Sequence, residues 1–179
     1  MDINKIMFTK LEQEIFSMLC IQAGKKLSQR EIAKILEVSP TAVANSLKKL
    51  KKYNLVKIEA TKTINFVSFN RDEQKAIELK RCENLKNIYI SKLNSYLEEE
   101  LPGGTIILFG SYSKGEDIYT SDIDLAVIER KDKMLKLEKY ENALGKKINI
   151  NFYNSWKEIH KHLKNNILNG ILLQGSIEL

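Results

Sequence analysis

The chain has 179 residues, enough for one domain or two small ones, and its 29 Lys and Arg against 23 Asp and Glu give a formal net charge of +6. No run approaches the roughly 18 apolar residues that a membrane span requires, and residues 1–8 lack the cationic and then apolar order of a secretion signal. We therefore expect a cytoplasmic protein with no membrane partner.

The excess positive charge lies entirely in the first two-fifths of the chain. Residues 1–70 hold 12 Lys and Arg against 6 Asp and Glu, whereas residues 71–179 hold 17 of each kind. This asymmetry predicts a polyanion-binding module over 1–70 joined to a neutral module over 71–179. A lysine-rich, well-solvated surface without a partner would give the same imbalance, so charge alone leaves that alternative open.

The basic module begins with three predicted helices. Apolar residues at helical spacing predict the first helix over 9–23. Ser28 and Glu31 form the pattern of a capping box, in which two side chains satisfy free backbone donors at the start of a second helix. Ser39 and Pro40 suit the first positions of a third helix. Two short helices joined by a tight turn, the second rich in small polar and basic residues, predict a helix-turn-helix.

A β-hairpin follows these helices. Residues 55–59 and 64–69 alternate in polarity around a short turn, which is typical of paired strands. Residues 9–69 therefore resemble the winged helix-turn-helix of prokaryotic transcription regulators. The resemblance implies duplex DNA as a partner and, because such modules often read two half-sites as dimers, a homodimer. A winged helix that contacts protein instead is the alternative.

The third helix supplies the candidate DNA-binding residues. Small polar side chains are expected near the bases: Thr41, Asn45 and Ser46. Lysines near the C-terminal end of the helix are expected near the phosphates: Lys48, Lys49, Lys51 and Lys52. Cations at a helix end also interact favourably with the helix dipole, so a solvated helix end explains the lysines equally well.

One long helix is predicted between the two modules. Asn70 suits its N-cap, and the Pro-Gly-Gly sequence at 102–104 ends it. Its apolar stripe, which includes Cys82, is expected to pack on the sheet of the second module. Cys20 occupies a similar stripe in the first helix, so both cysteines are expected to be reduced thiols in the core.

The most informative segment combines a glycine and a serine with two aspartates. Gly110 and Ser111 follow one apolar run, and Asp122 and Asp124 adjoin a second. The pattern predicts a strand, an anion-binding turn and another strand. Residues i and i+2 share a strand face, so the two carboxylates are expected on the same face, roughly 7 Å apart. Two like charges at this distance repel each other. A bound divalent cation would neutralise that repulsion. An ordinary turn beside a solvated strand edge is the alternative.

This segment resembles the signature of the nucleotidyltransferase superfamily, which includes DNA polymerase beta, kanamycin nucleotidyltransferase and the minimal nucleotidyltransferases of bacteria and archaea. The resemblance covers roughly residues 72–179 and implies a small mixed sheet, so that the whole chain is of the α/β (α+β) class. It also implies attack of a hydroxyl on the α-phosphate of a nucleoside triphosphate, with release of pyrophosphate. Asp122 and Asp124 would then bind two Mg²⁺ ions, while Gly110, Ser111 and Lys114 hold the phosphates.

The family's third carboxylate is absent at the corresponding place. The neighbouring strand, predicted over 148–152, offers Asn149 as the third candidate catalytic residue. An asparagine oxygen can contact a metal ion, but the amide cannot accept a proton at neutral pH. Glu129 faces away from the aspartates, and His160 and His162 diverge by about 200° on a predicted helix, so both histidines are expected at the surface.

Two functional hypotheses follow. The first is Mg²⁺-dependent transfer of a nucleotidyl group to an unknown acceptor that the DNA-binding module helps to locate. Minimal members of the superfamily act on a partner protein, on antibiotics or on RNA ends, so a protein acceptor is one expected partner. The second is a DNA-binding transcriptional regulator or antitoxin-like protein whose degenerate transferase domain binds nucleotide or mediates assembly. The Gly-Ser and Asp-x-Asp elements favour the first, and Asn149 favours the second.

Overall fold

The computed structural model of the protein describes residues 7–178. The chain divides into two units, Met1–Lys80 and Arg81–Leu179, and each has a sheet of its own. We expected the modules to meet after residue 70, and the observed division lies further along, within a helix. No helix among residues 7–178 combines the length and the apolar composition that crossing a bilayer requires.

The first unit is a winged helix-turn-helix, as the sequence predicted. Its elements are α1 (Lys10–Ile21), β1 (Leu27–Ser28), α2 (Gln29–Ile35), α3 (Pro40–Lys52), β2 (Val56–Ala60) and β3 (Asn65–Phe69). The strands form an antiparallel sheet in the order β1-β3-β2. The hairpin β2-β3 is the predicted wing. The two-residue strand β1 is an addition that is too short to leave a periodic signal in the sequence.

The helix starts of this unit follow the predicted capping chemistry. Ser28 Oγ accepts a hydrogen bond from Glu31 N at 3.1 Å, and Glu31 Oε2 accepts one from Ser28 N at 2.6 Å. Ser39 Oγ accepts from Ala42 N at 3.1 Å, and Pro40 is the first residue of α3. Each cap satisfies a backbone N–H that has no partner within its helix. The starts of α2 and α3 are therefore confirmed.

The core of the first unit joins the helices to the wing. Phe16 of α1 and Leu47 of α3 are almost fully buried, as is Val67 of β3. The rings of Phe16 and Phe69 lie 6.1 Å apart between centroids. Cys20 is 1% exposed, which confirms the prediction of a core thiol at this position.

The helix α4 (Gln74–Ile90) is followed by α5 (Leu93–Glu100), so the prediction of one long helix is wrong. Lys92 lies between them in the left-handed conformation with φ of 62°, and this backbone turn ends one helix before the next begins. Cys82 is exposed, so its prediction as a core thiol is also wrong. The buried face of α4 includes Asn84 and Ile88, four residues apart, and Cys82 lies about 200° around the helix from Asn84.

The second unit contains the predicted small mixed sheet. After α5 its elements are β4 (Thr105–Phe109), α6 (Gly110–Lys114), β5 (Ile123–Ile128), α7 (Glu138–Leu144), β6 (Ile148–Tyr153), α8 (Lys161–Leu168) and β7 (Ile171–Gln174). The strand order is β6-β5-β4-β7, with β5 and β6 parallel and the other pairs antiparallel.

Both faces of this sheet are packed, because alternate residues of the central strands enter different apolar clusters. Leu108 and Leu125 belong to a cluster on one face, whereas Ile107 and Ala126 belong to a cluster on the other. The second cluster also contains Trp156, from a short 3-10 turn. Residues 122 and 124 have the same parity as Ala126, so they project from that second face, at the start of β5.

Candidate functional site

Three neighbouring strands bring the signature residues together. Phe109 ends β4 and pairs with Asp124 on β5, and Asp124 pairs with Asn149 on β6. Gly110 follows Phe109 directly, as the first residue of α6. The glycine, the aspartate and the asparagine therefore stand side by side at one edge of the sheet.

Gly110 makes a close approach to Asp124 that a side chain at position 110 would obstruct. Its φ is +74°, in the left-handed region, and a Cβ built on it would lie 2.6 Å from Asp124 Oδ2. Glycine therefore suits this position twice, because it adopts the left-handed turn without strain and leaves room for the carboxylate. The predicted sharp exit from β4 is present, and it packs the backbone of the turn against Asp124.

The alternation predicted around the aspartates is also present. Ile123 and Leu125 are fully buried, while Asp122 is exposed and Asp124 is partly exposed. Asp124 is held within β5 by pairing on both sides. Asp122 precedes the first residue of that strand. The two carboxylates thus face solvent beside buried isoleucine and leucine side chains. Strand pairing on both sides fixes the backbone of Asp124, whereas Asp122 lies just before the strand.

Asn149 links the two carboxylates. Its Nδ2 donates to Asp122 Oδ2 at 3.1 Å and to Asp124 Oδ1 at 3.4 Å. The N–H dipoles of the neutral Asn149 amide therefore offset part of the repulsion between the two negative carboxylates. Rotation of the same amide by about 180° would present its oxygen, rather than its nitrogen, to a bound cation.

The donors at this site fit a magnesium ion. Within residues 7–178 no group of three His, Cys, Asp or Glu side chains is placed to hold a metal ion. Two carboxylates and an amide oxygen are nevertheless hard oxygen donors, and Mg²⁺ commonly takes one or two carboxylates together with phosphate oxygens and water. Asp122, Asp124 and Asn149 could therefore hold one such ion alongside a nucleotide.

The remaining predicted phosphate ligands lie on α6. Ser111 is its second residue and is partly exposed, and its carbonyl oxygen accepts a hydrogen bond from Glu116 N at 3.0 Å. Lys114 is the last residue of α6 and is exposed. Their contact with a phosphate remains a prediction.

Sequence reasoning missed Lys147, a cation at the edge of the site. Lys147 Nζ lies 2.8 Å from Glu141 Oε2, and this hydrogen bond raises the pKa of Lys147, with a smaller electrostatic contribution from Asp122. The same hydrogen bond, together with one from Ile148 N, holds the pKa of the Glu141 carboxyl below its ordinary value. Lys147 lies two residues before Asn149, so an extended chain would place both side chains on the same face. This spacing is the feature of the sequence that could have identified Lys147.

The residues that sequence reasoning set aside lie away from the aspartates or at the surface. His160 and His162 are both exposed, as predicted. Glu129 follows the last residue of β5 and is exposed, at the opposite end of the strand from Asp124.

The third helix of the first unit presents most of its predicted residues to solvent. The exposed ones are Thr41, Asn45, Lys48, Lys51 and Lys52. Lys48 Nζ donates to Asn45 Oδ1 at 2.9 Å, so these two side chains share one turn of the exposed face. This face of α3 combines small polar groups with cations, as the sequence predicted.

Ser46 and Lys49 require correction. Ser46 is only 9% exposed, because residues 43, 46, 47 and 50 form the buried face of α3, so its predicted position near the bases is wrong. Lys49 Nζ lies 3.1 Å from Glu12 Oε2 of α1, and the Glu12 side chain is 10% exposed. The ammonium of Lys49 therefore neutralises a buried carboxylate within the protein and is not the free phosphate contact that we expected.

A groove of about 360 Å³ lies between the helix starts and the tip of the wing. Arg30 of α2 and Lys62 of the hairpin turn line it, together with Pro40 of α3. Both cations are exposed. They add positive charge to the wing side of the first unit, and sequence reasoning did not single them out because it considered only α3.

The fold and the site define a nucleotidyltransferase-type domain joined to a helix-turn-helix. Comparison with protein families agrees, because the nucleotidyltransferase domain family matches residues 90–173 and the HTH domain family matches residues 12–63. The chain therefore carries a nucleotidyltransferase domain preceded by an HTH DNA-binding domain. A comparison with curated proteins gives no match.

Proposed function

We propose that the second unit is a Mg²⁺-dependent nucleotidyltransferase and that the first unit binds duplex DNA. The observation that carries the transferase proposal is the approach of Asp124 to Gly110, which brings one carboxylate of the aspartate pair against the Gly-Ser turn. Glycine has the backbone freedom that this turn needs, and its missing Cβ leaves room for the Asp124 carboxylate beside the turn.

In this proposal Asp122 and Asp124 hold magnesium, and the oxygen of Asn149 joins them after rotation of the amide. Ser111 and Lys114 hold the phosphates. Bound Mg²⁺ supplies positive charge that stabilises the attacking and leaving oxygens of an in-line displacement. The donors of the chain account for one ion, and the second ion expected from the family would take most of its ligands from the triphosphate.

The reaction joins the oxygen of an acceptor hydroxyl to the α-phosphorus while the bond from that phosphorus to pyrophosphate breaks. The hydroxyl proton must leave, and Asn149 cannot take it. The proton must therefore pass to water, to a phosphate oxygen or to a base on the acceptor. Loss of a positioned base costs about 10²- to 10⁴-fold in rate, so the proposed transfer is slow unless the acceptor brings its own base.

Incubation of the full chain with labelled nucleoside triphosphates, Mg²⁺ and cell lysate tests this proposal. We expect label to appear on a macromolecule, and we expect Asp124→Asn to abolish the labelling. Lys161→Met, which changes an exposed lysine of α8, is the matched control and should leave labelling unchanged. Labelling that persists in Asp124→Asn, or in EDTA, would refute the proposed site.

A second function is favoured by one observation, the hydrogen bonds from Asn149 to both aspartates. An amide that already links the carboxylates suits a domain that binds nucleotide or mediates assembly without transfer. In this alternative the protein is a DNA-binding transcriptional regulator or an antitoxin-like protein. Nucleotide binding without labelling of any acceptor would support it.

For the first unit we propose that Thr41 and Asn45 lie near bases, and that Lys48, Lys51 and Lys52 contact phosphates. The net charge of +6 on residues 1–70 supports this assignment, because duplex DNA is a polyanion. Arg30 and Lys62 extend the cationic surface to the groove beside the wing. We further propose a homodimer, since two copies would read two half-sites.

A further inference from the structure

The loop formed by residues 115–121 joins the two halves of the signature. It leaves α6 after Lys114 and ends one residue before Asp122. Ser121 N donates to Ile118 O at 2.9 Å, and Ile118 N donates to Ser121 Oγ at 3.0 Å, so the last turn of the loop is closed on itself. Asp122 lies between this loop and the first paired residue of β5, so its position depends on the loop as well as on strand pairing.

A buried lysine from outside the signature holds the loop. Lys146 follows α7, and its side chain is 2% exposed. Its Nζ donates to Ile118 O at 2.6 Å and to Ser121 O at 3.3 Å, and it pairs at 3.1 Å with Asp117, whose side chain is fully buried. Ser121 O is the carbonyl that immediately precedes Asp122. One ammonium thus contacts both ends of the loop's last turn and the buried carboxylate of the residue that precedes this turn.

The same cluster reaches the Gly-Ser half of the signature through α4. Asn84 Nδ2 donates to Asp117 Oδ1 at 2.7 Å and to Tyr112 O at 2.9 Å. Tyr112 follows Ser111 in α6, and Lys146 Nζ lies 5.9 Å from the centroid of its ring. Lys146, Asp117 and Asn84 therefore link the turn that would hold phosphate to the end of the loop that leads to Asp122.

We propose that Lys146 is a positioning residue for Asp122: its buried ammonium fixes the loop so that Asp122 meets the cation and nucleotide beside Asp124. This proposal rests on the proposed function. A buried ion pair of this kind adds little stability on balance, because the cost of removing both charges from water offsets most of their attraction. We therefore expect replacement of both members by neutral side chains of similar size to cost less stability than replacement of Lys146 alone, while it still removes the donor that holds the loop.

The test compares Lys146→Met with the double variant Lys146→Met/Asp117→Asn in the full chain. The single variant removes the Lys146 ammonium from beside the buried Asp117 carboxylate, so a lower melting temperature is expected. The double variant removes both charges, and asparagine keeps an oxygen that accepts from Asn84. Its melting temperature should lie above that of the single variant, and comparison of the two variants separates the loss of stability from the loss of positioning. Lys161→Met serves as the exposed control.

Two readouts then report the position of the loop. In the double variant, amide hydrogen exchange over residues 116–122 should be faster than in the wild type, while exchange over 124–128 stays unchanged. Affinity for Mg²⁺-loaded ATP, GTP, CTP and UTP, tried in turn, should fall by about 10- to 100-fold, the usual effect of removing an outer partner of a metal ligand.

A double-mutant cycle with Asp122 shows whether Lys146 acts through that aspartate. Asp122→Asn should weaken nucleotide binding alone, and adding Lys146→Met/Asp117→Asn to it should weaken binding no further. Fully additive losses, or loop exchange that matches the wild type, would overturn the positioning role. If the wild type binds none of the four nucleotides while the double variant still shows faster exchange, the proposed function fails and the anchoring of the loop by Lys146 stands.

Discussion

The two units both gather like charges on one surface, but they treat those charges differently. On α3, Lys48, Lys51 and Lys52 are exposed, and among residues 7–178 Lys49 is the one of these four lysines that pairs with a carboxylate. At the site of the second unit, an amide links both aspartates. The first surface therefore leaves most of its charge exposed to solvent, whereas the second already satisfies part of its charge internally. The charge that a surface can offer to a ligand is therefore smaller than its count of charged residues, because residues paired within the protein do not contribute fully.

The largest expected effect is a change in the rate of nucleotide transfer when a carboxylate replaces the amide that links the two aspartates. Asn149→Asp replaces the amide by a third carboxylate next to the pair, which supplies both a charged ligand and a base. We expect transfer of labelled nucleotide to rise by about 10²- to 10⁴-fold, the usual contribution of general-base catalysis. Robust transfer by the wild type, with no change in Asn149→Asp, would mean that the third acid comes from elsewhere.

Asn151→Asp is the matched control for that change, because Asn151 lies two residues further along the same strand and is exposed. It adds the same charge but pairs with Ala126 instead of Asp124. We expect no gain in transfer from it. A gain of equal size in both variants would show that added charge alone, and not its position, raises the rate.

The exposed lysines of α3 provide the second test. Replacing Lys48, Lys51 and Lys52 with alanine should weaken binding of duplex DNA and reduce the slope of log affinity against log salt by about 0.9 for each lysine that meets a phosphate. Titration of labelled duplex DNA at several salt concentrations measures this slope. An unchanged slope would show that α3 does not face the phosphates and would favour protein contacts for the winged helix.

A smaller effect is expected at Lys49, the lysine that is neutralised internally. Lys49→Met should leave the salt slope unchanged but lower the free energy of unfolding of the first unit by about 1 kcal/mol, since the pair with Glu12 is only partly shielded from solvent. Chemical denaturation measures the stability, and Lys48→Met is the matched control. A reduced salt slope in Lys49→Met would contradict the internal role.

The smallest effect concerns pH. Burial of the Glu12 carboxyl raises its pKa, but hydrogen bonds from Thr9 N and from Lys49 outweigh burial and hold the pKa below the ordinary value of 4.5. A depressed pKa in the folded state contributes stability above about pH 4.5, and this stability is lost as the pH falls through the folded-state pKa. Glu12→Gln should therefore flatten the acid side of the stability profile. Identical profiles for both proteins would contradict the assignment.

Local chemistry made much of this fold predictable. The capping pair Ser28 and Glu31 and the Ser-Pro start of α3 act over three or four residues, so the sequence contains the whole interaction. The alternation around Asp122 and Asp124 likewise follows from the geometry of one strand. The mixed sheet, however, was expected from the family resemblance, because pairing between distant strands leaves no local trace.

The errors have a common physical origin in contacts between distant residues. Lys49 pairs with Glu12, which is 37 positions away in the sequence, so the residues next to Lys49 give no indication of this partner. The break at Lys92 has no glycine or proline to mark it. Lys146 was also missed, since its role depends on carbonyl oxygens of residues 118 and 121, and any residue type presents the same carbonyl.

The position of Asn149 on the edge strand β6 makes the chemistry of the site depend on the packing beneath it. Ile148 and Ile150 enter the apolar cluster on one face, while Asn149 and Asn151 stay exposed on the other. A slip of β6 by a single residue would turn every side chain over, so that an isoleucine faced Asp124 and both asparagines were buried. The burial of Ile148 and Ile150 therefore fixes the register of β6, and this register determines which side chain lies beside the aspartates.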